Sequence, residues 1–559
     1  MSNSRDIIPD LIINKPFKLI LLLGAMVIKY SRLNSGDNTL VNFYKWTAAR
    51  FPVAFFKQQI LLVGLVIVSF LLFIITTFFT SDVRYDLIQS STGDTNYGVV
   101  IDCGSSGSRA HIFIWNKNDR APSIELLRDE LNQRPLNKHI TPGISFFKDN
   151  PEKVSDYMEP IMRFLSETIP QDRHEDTPVS FLATAGLRLL DDATQKKILT
   201  TITSDLKLRY DFPNIKSHVI TGEIEGIYSW LSLNSRKIYE SSADIKSIGM
   251  IEVGGASTQV AFELSPEVEN DILKNLDNND AIKAFKNEQV RLNLGPDRSL
   301  KLFAVTFLGL GVNSARESLI DLLVRDNLES TGKWPSPSQL SNFEIQLNDP
   351  CLTIGSKEVV RRPTALFKSS QQSIGFVVRH QEQEFTARLH GSGNFQECYR
   401  LLERVLRVVK NERLNCLPEQ RACAMQLLGT DFMPYNYYAF AGLSEMFFTT
   451  DAMMNSAGLF NRSHIFSETK RICATEYNKL LEIYSHREIT YDDRILYECF
   501  KASWLLALLN EHGFRMPFNY DKFQTLDRLN GKEIDWTIGA MISEVSLGLK
   551  TTETVVATG

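Results

Sequence analysis

Two acids, each placed two residues before a turn of small residues, could together hold a metal-bound phosphate. The first stands in Val99-Val100-Ile101-Asp102-Cys103-Gly104-Ser105-Ser106-Gly107-Ser108-Arg109, and the second in Gly249-Met250-Ile251-Glu252-Val253-Gly254-Gly255-Ala256-Ser257-Thr258-Gln259. In each copy an apolar run reads as a buried strand that delivers a carboxylate, Asp102 or Glu252, at its end. The following residues, Gly104, Ser105, Ser106, Gly107 and Ser108 in one copy and Gly254, Gly255, Ala256 and Ser257 in the other, can aim backbone N–H groups and hydroxyls at an anion. A carboxylate beside a phosphate repels it unless a divalent cation lies between them. The pair therefore points to a nucleotide with Mg²⁺ or Ca²⁺, held by Asp102 and Glu252 through coordinated water. A single small-residue turn after a strand is commonplace; two in the same register argue for a site.

Other hydrolytic and phosphate-binding signatures are absent. There is no G-x-x-x-x-G-K-[ST] loop, no G-x-S-x-G elbow, no H-E-x-x-H helix and no C-x-x-C pair. The chain of 559 residues is 43% hydrophobic and 23% charged, the balance of a folded protein of more than one domain. A net charge of −5 and the lack of a Lys/Arg block exclude a nucleic-acid binder.

Ile60–Thr80 carries no charge, and at about 1.5 Å per residue it is long enough to cross a hydrocarbon core of about 30 Å. It reads as an uncleaved signal anchor, since it starts too far from the N-terminus for a cleaved signal peptide. Lys and Arg outnumber Asp and Glu in the preceding tail, residues 1–59, which places that tail in the cytosol and the rest of a single-pass, type II chain in the secretory lumen or outside the cell. Cys351, Cys398, Cys416, Cys423, Cys473 and Cys499 cluster in the C-terminal half, as suits disulfides in an oxidising compartment. Many pairings are open, and the sequential one (351–398, 416–423, 473–499) is the simplest. Asn461-Arg462-Ser463 is an N-glycosylation sequon on the same side.

The elements that must position these residues follow from apolar periodicity. Residues 81–96 read as a stalk. From there, short apolar runs (His111–Trp115, Val179–Ala183, Ser217–Ile220) alternate with amphipathic stretches (Val154–Thr168, Ala193–Leu206) in an α/β rhythm. After the second turn, Val260–Leu264 and Phe303–Leu308 repeat the strand pattern, and Val312–Arg325 and Phe395–Asn411 read as helices. Gly222–Gly226 reads as a polar turn before an amphipathic Ile227–Asn234.

Asp102–Arg109, then Ala183-Thr184-Ala185-Gly186-Leu187-Arg188, then Gly222-Glu223-Ile224-Glu225-Gly226-Ile227-Tyr228-Ser229-Trp230, then Gly254–Gln259 resemble the ordered apyrase motifs of the nucleoside triphosphate diphosphohydrolase family. Tyr438–Ser444 and Asp535–Ala540 resemble its last motifs, and the form of the first motif is similar to the intracellular Golgi and lysosomal branch. The resemblance spans roughly residues 97–545. It implies two RNase H-like lobes of the actin and sugar-kinase superfamily with nucleotide in the cleft between them, lobe I at 97–221 completed by about 520–550 and lobe II at 222–519.

By the same resemblance Glu225 activates the attacking water, while Thr184 and Gln259 position that water or the transferred phosphoryl group. Glu223 is its rival, set aside because the motif places the acid just before the second glycine. Phe448 stacks on the base with Ser444 nearby, Tyr437 and Tyr438 being further candidates for that wall, and Trp536 closes the metal side. Arg109 either neutralises phosphate or pairs with a carboxylate, and Arg188 reads as structural. The family pattern has aspartate where this chain has Glu252, and one methylene displaces a carboxylate by about 1 Å. The implied function is metal-dependent hydrolysis of UDP or GDP in the Golgi lumen in support of glycosylation. The alternatives are a cell-surface apyrase and a lumenal nucleotide sensor without turnover, with self-association left open.

Overall fold

The computed structural model describes residues 95–119, 123–129, 131–240, 245–294, 299–335, 343–363, 384–413, 424–484 and 492–547. The expected tail, anchor and most of the stalk, with Cys416 and Cys423, lie outside these residues. Among the described residues no helix is long and apolar enough to cross a membrane.

Strand β1 (Thr95–Cys103) absorbs the last two residues assigned to the stalk. Around it form β2 (Ser108–Asn116), β3 (Glu125–Leu126), β4 (Asn137–Ile140), β5 (Val179–Ala183) and β6 (Ile215–Val219). The sheet runs β3-β2-β1-β5-β6 with β4 paired on β2; β1 is antiparallel to β2 and parallel to β5. Alternation along β1 sends Val99 and Ile101 to an outer core with helices α1 (Val154–Thr168) and α2 (Asp192–Arg209), where Met158, Ile161, Leu165, Ile198 and Leu206 are fully buried. Val100 faces the other way, into a cluster shared with the second sheet.

That cluster is built around α3 (Gly222–Leu233), which packs between the sheets. The helix begins at Gly222, so the segment read as a polar turn is its first turn. Thr221 caps it, accepting the Ile224 N–H at 3.3 Å, and Glu223 and Glu225 suit the positive end of the helix dipole; together these offset the cost of two glycines.

The second sheet repeats the first. Its members are β7 (Ile248–Val253), β8 (Ser257–Glu263), β9 (Gln289–Asn293) and β10 (Ser299–Leu308), followed by α4 (Val312–Thr331). A separate three-stranded sheet, β11 (Glu344–Asp349), β12 (Lys357–Pro363) and β13 (Glu384–Gly391), is inserted next with α5 (Phe395–Arg413). Then come β14 (Ala439–Ser444), α6 (Glu445–Ala452), β15 (Gly458–Leu459), α7 (Arg462–Cys473), α8 (Asp492–Leu508), β16 (Phe523–Thr525) and α9 (Trp536–Ser546). The order β15-β16-β14-β7-β8-β10-β9 sets β7 antiparallel to β8 and parallel to β14, as β1 stands to β2 and β5.

Residues 523–525 correct one expectation: they were assigned to the completion of lobe I, but β16 pairs in parallel with β14, where Phe523 is buried against Phe460. Lys532, Glu533 and α9 do touch the first sheet's side, through the pairs Lys532–Glu125 and Arg128–Glu533, both at 3.5 Å, and through packing on β1. Among the described residues two disulfides form: Cys351–Cys398 ties the inserted sheet's loop to α5, and Cys473–Cys499 ties α7 to α8; Cys103 is a free, buried thiol.

Candidate active site

The two glycine turns close in the same way. Gly104 N–H donates to the Gly107 carbonyl at 2.9 Å, and Gly254 N–H donates to the Ser257 carbonyl at 2.9 Å. On the return strands Arg109 stands opposite Asp102 and Gln259 opposite Glu252. The turns face each other, since a side chain built on Gly255 would lie 2.7 Å from Ser105 Oγ and 2.9 Å from Asn313 Nδ2. Each turn is braced from behind. Val312 and Asn313, the first residues of α4, donate to the carbonyls of Gly254 and Gly255 at 3.0 and 2.8 Å, while Gly143 backs the carbonyls of Gly104 and Ser105. With its carbonyls held by α4, the second turn is left to present N–H groups to the cleft.

Not every residue expected in the first turn reaches that space. Gly104 and Ser105 are partly exposed and Ser106 is exposed, but Ser108 is fully buried beside Cys103 and Tyr157 because, as the first residue of β2, its side chain alternates inward. Gly107 is buried against His139, where a β-carbon would lie 2.5 Å from Nε2. Arg109 is exposed and acts on Asp102, lowering its pKa against the effect of burial. In the second turn Ala256 and Ser257 are buried, and the Ser257 hydroxyl accepts from Gln259 Nε2 at 2.7 Å.

Four carboxylates converge: Asp102 from β1, Glu225 from α3, Glu252 from β7 and Asp535 at the N-cap of α9. Burial, then Asp535 and Glu225, raise Asp102 well above the usual carboxylate range; its Oδ1 is buried without a hydrogen-bond partner. Burial and then Glu225 push Glu252 up to about 7, opposed by the hydroxyls of Ser229 and Ser444. Ser444 Oγ donates to Glu252 Oε1 at 2.7 Å and Ser229 donates to Oε2. Burial also raises Glu225, with Arg188 opposing it. A set of mutually repelling acids with an orphaned buried oxygen fits a divalent cation. Among the described residues no group of three or more His, Cys, Asp or Glu is gathered closely enough to ligate one directly, which suits contact through water.

Around Glu225 the fold gathers Gln259, whose Nε2 donates to Glu225 Oε2 at 3.3 Å and also reaches Thr306 Oγ1 at 3.3 Å, and Arg188, which forms an ion pair with Glu225. Arg188 was read as structural; it lies in the site because the Ala185–Arg188 turn packs on the first glycine turn, with Gly186 against Ser105. Its Nε and Nη1 are buried without partners. Thr184, buried at the end of β5, donates its N–H to the Cys103 carbonyl at 3.3 Å, level with the first glycine turn.

Ser444, expected near the base, donates its hydroxyl to Glu252. Trp536 is buried in the apolar cluster between the sheets, and its neighbour Asp535 carries the charge that acts on Asp102 and Glu252. Tyr437 and Tyr438 sit at the opposite end of β14 from Ser444, Tyr437 lining a cavity with Asp271. Phe448 is one helical turn beyond Ser444 and 37% exposed, with the Arg494 guanidinium 5.4 Å from its ring centre. Asn461 is exposed and caps α7, accepting the His464 N–H at 3.0 Å.

Asp535, Ser229 and Asn313 were given no role from sequence, although Ser229 and Asp535 stand within segments that carry the family resemblance.

The sequence profile of the GDA1/CD39 (nucleoside phosphatase) family matches residues 88–555. Ectonucleoside triphosphate diphosphohydrolase 7 of Mus musculus is 30% identical over 492 residues, covering 82% of this chain and 74% of that protein. Ectonucleoside triphosphate diphosphohydrolase 4 of Homo sapiens is 28% identical over 495 residues, covering 81% and 73%. Nucleoside-diphosphatase mig-23 of Caenorhabditis elegans is 26% identical over 472 residues, covering 80% and 77%. Among solved structures, that of nucleoside triphosphate hydrolases from Neospora caninum shares the fold with a TM-score of 0.56 at 16% identity, covering 85% of this chain and 97% of that one.

Proposed function

Because the chain belongs to the GDA1/CD39 (nucleoside phosphatase) family, whose members hydrolyse nucleotide phosphoanhydride bonds, we propose that it removes the terminal phosphate of UDP or GDP in the secretory lumen. There it would clear the diphosphates left by glycosyl transfer. The observation that carries the reading is the pair of matching glycine turns facing each other across Asp102, Glu225, Glu252 and Asp535. The charge asymmetry around residues 60–80 supports a single-pass anchor with the catalytic part lumenal, the Golgi being the compartment we favour, with lobe I built on the first sheet and lobe II on the second.

The chemistry follows from position. Gly104, Ser105 and Ser106 hold one phosphate and the Gly254–Ala256 turn the other, so that little rearrangement is needed as charge develops. Glu225, in its ionised form, takes a proton from the attacking water, while Gln259 and Thr184 orient that water and Arg188 stabilises phosphoryl charge beside it. Asp102 and Glu252, with Asp535, would hold Mg²⁺ or Ca²⁺ through water; when bound, the cation neutralises phosphate charge and eases departure of the nucleotide. The displacement is direct, and no side chain in either turn is activated as a nucleophile.

Phosphate release by the full chain from UDP, GDP, ADP and UTP, with and without EDTA, tests the proposal beside Glu225→Gln. EDTA should abolish release, and the substitution should lower kcat by about 10²–10⁴-fold. Release that ignores the substitution would remove Glu225 from its role, and absence of release from protein that binds nucleotide would leave the sensor.

A further inference from the structure

Gln259 ends in an amide whose Nε2 carries two hydrogens, and three acceptors stand around it: Ser257 Oγ at 2.7 Å, Glu225 Oε2 at 3.3 Å and Thr306 Oγ1 at 3.3 Å. The short bond to Ser257 takes one hydrogen. The other lies between Glu225 and Thr306 at equal distance, shared between a carboxylate and a hydroxyl. Gln259 is 1% exposed, so an N–H that loses its partner there is left unmatched.

Thr306 is fixed from two sides. On β10 it stands opposite Gln259 of β8, and residues paired in this way share a face of the sheet. Against it lies the first turn of α3, the helix that carries Glu225: a β-carbon on Gly222 would lie 2.3 Å from Thr306 Cβ and Oγ1 and 2.4 Å from its Cγ2. A β-branched side chain has few rotamers to begin with, and the helix packs directly on this one. The hydroxyl therefore keeps its aim at Gln259.

Hydrolysis changes the demand for the shared hydrogen. Ionised Glu225 accepts it in a charge-assisted bond; once Glu225 has taken the proton of the attacking water it is a neutral acid and accepts more weakly. Thr306, as close to the same nitrogen, takes the hydrogen over without any movement of the amide. We propose that Thr306 is a positioning residue for hydrolysis, the alternate acceptor that keeps the Gln259 amide fixed and satisfied while Glu225 passes from carboxylate to acid. A valine of the same shape leaves the amide to follow Glu225 alone, and the water that Gln259 orients loses its direction as the proton moves. The inference rests on the proposed roles of Glu225 and Gln259 at that water.

The test is steady-state phosphate release by the full chain, purified in detergent, from UDP, GDP and ADP. Thr306→Val should lower kcat roughly tenfold with KM changed less than about twofold, since Thr306 acts through Gln259 and not on the nucleotide. Thr306→Ser, which restores the hydroxyl without the methyl, should recover most of that loss. In a Gln259→Ala background Thr306→Val should lower kcat by less than a further factor of about two, because the amide it serves is gone. A packing role alone gives the reverse: Thr306→Ser as slow as the valine variant, and the valine's loss undiminished without Gln259. Either of those results, or an unchanged kcat in Thr306→Val, overturns the assignment. The double variant decides even where Thr306→Val melts lower, since a packing defect carries over into it and a lost acceptor does not. Wild-type protein that releases no phosphate, or Glu225→Gln as fast as wild type, overturns the proposed function and this inference with it. An active wild type that Glu225→Gln silences and Thr306→Val does not slow overturns the inference alone.

Discussion

Ser444 occupies a backbone conformation that L-residues adopt only under constraint, with φ 57° and ψ −120°. Such a residue costs about 1–3 kcal/mol, and here it places a hydroxyl on Glu252 while the next residue, Glu445, is tied to Lys501. Ser444→Ala and Ser444→Gly both remove the hydroxyl, yet only glycine relaxes the backbone. Both should lower kcat, and the glycine variant should be about 1 kcal/mol more stable in denaturant titration. The same contacts decide how the glutamate in place of the family's aspartate is accommodated. Glu252→Asp withdraws the carboxylate from Ser229 and Ser444 by about 1 Å and should lower kcat at least tenfold. The proton on Glu252 has a thermodynamic counterpart. Its native pKa of about 7 exceeds the ordinary 4.5, so the native state keeps a proton that the unfolded chain has lost, and stability falls as pH rises between those values. A divalent cation favours the ionised form. Mg²⁺ should therefore raise the melting temperature more at about pH 8 than at about pH 5.5; equal shifts would show that Glu252 does not couple to the ion.

At the scale of elements, the apolar runs at Val179–Ala183 and Val154–Thr168 were legible because strand and helix periods place their buried residues without reference to anything distant. The start of α3 was not, because two glycines resemble a turn until the Thr221 cap is considered. Those glycines are explained by approach, as a β-carbon on Gly222 would lie 2.3 Å from Thr306. Arg188, Ser229 and Asp535 stood within recognisable motifs, but their partners could not be read there, since each depends on which other element the fold sets beside its own. The tightest helix approach is between α3 and α9, where a β-carbon on Gly539 would lie 1.7 Å from the Tyr228 carbonyl. Gly539→Ala must part the two helices. It should cost about 1–3 kcal/mol in thermal or denaturant unfolding, and activity should fall with it because Glu225 and Asp535 ride on the separated elements.

Across the whole molecule, the duplication of the two glycine turns was plain in sequence, whereas the size of the insertion in the second half was not. Cys351–Cys398 closes that insertion over 47 residues, and Cys473–Cys499 joins α7 to α8 over 26. Each is worth about 3–4 kcal/mol by loop entropy. Reduction should lower the melting temperature and expose the second sheet's side to proteolysis before the first, as limited digestion with and without reductant will show.

The packing of α9 on β1 joins segments separated by nearly the whole described chain. During synthesis the strand carrying Asp102 is made early, and the helix that supplies Asp535 and fills the space between the sheets is made among the last. Until that helix arrives, the first sheet has an uncovered apolar face and the ion site lacks one of its acids. Such a chain acquires its activity in one late step, and its half-made forms present client surfaces to chaperones, not working enzyme.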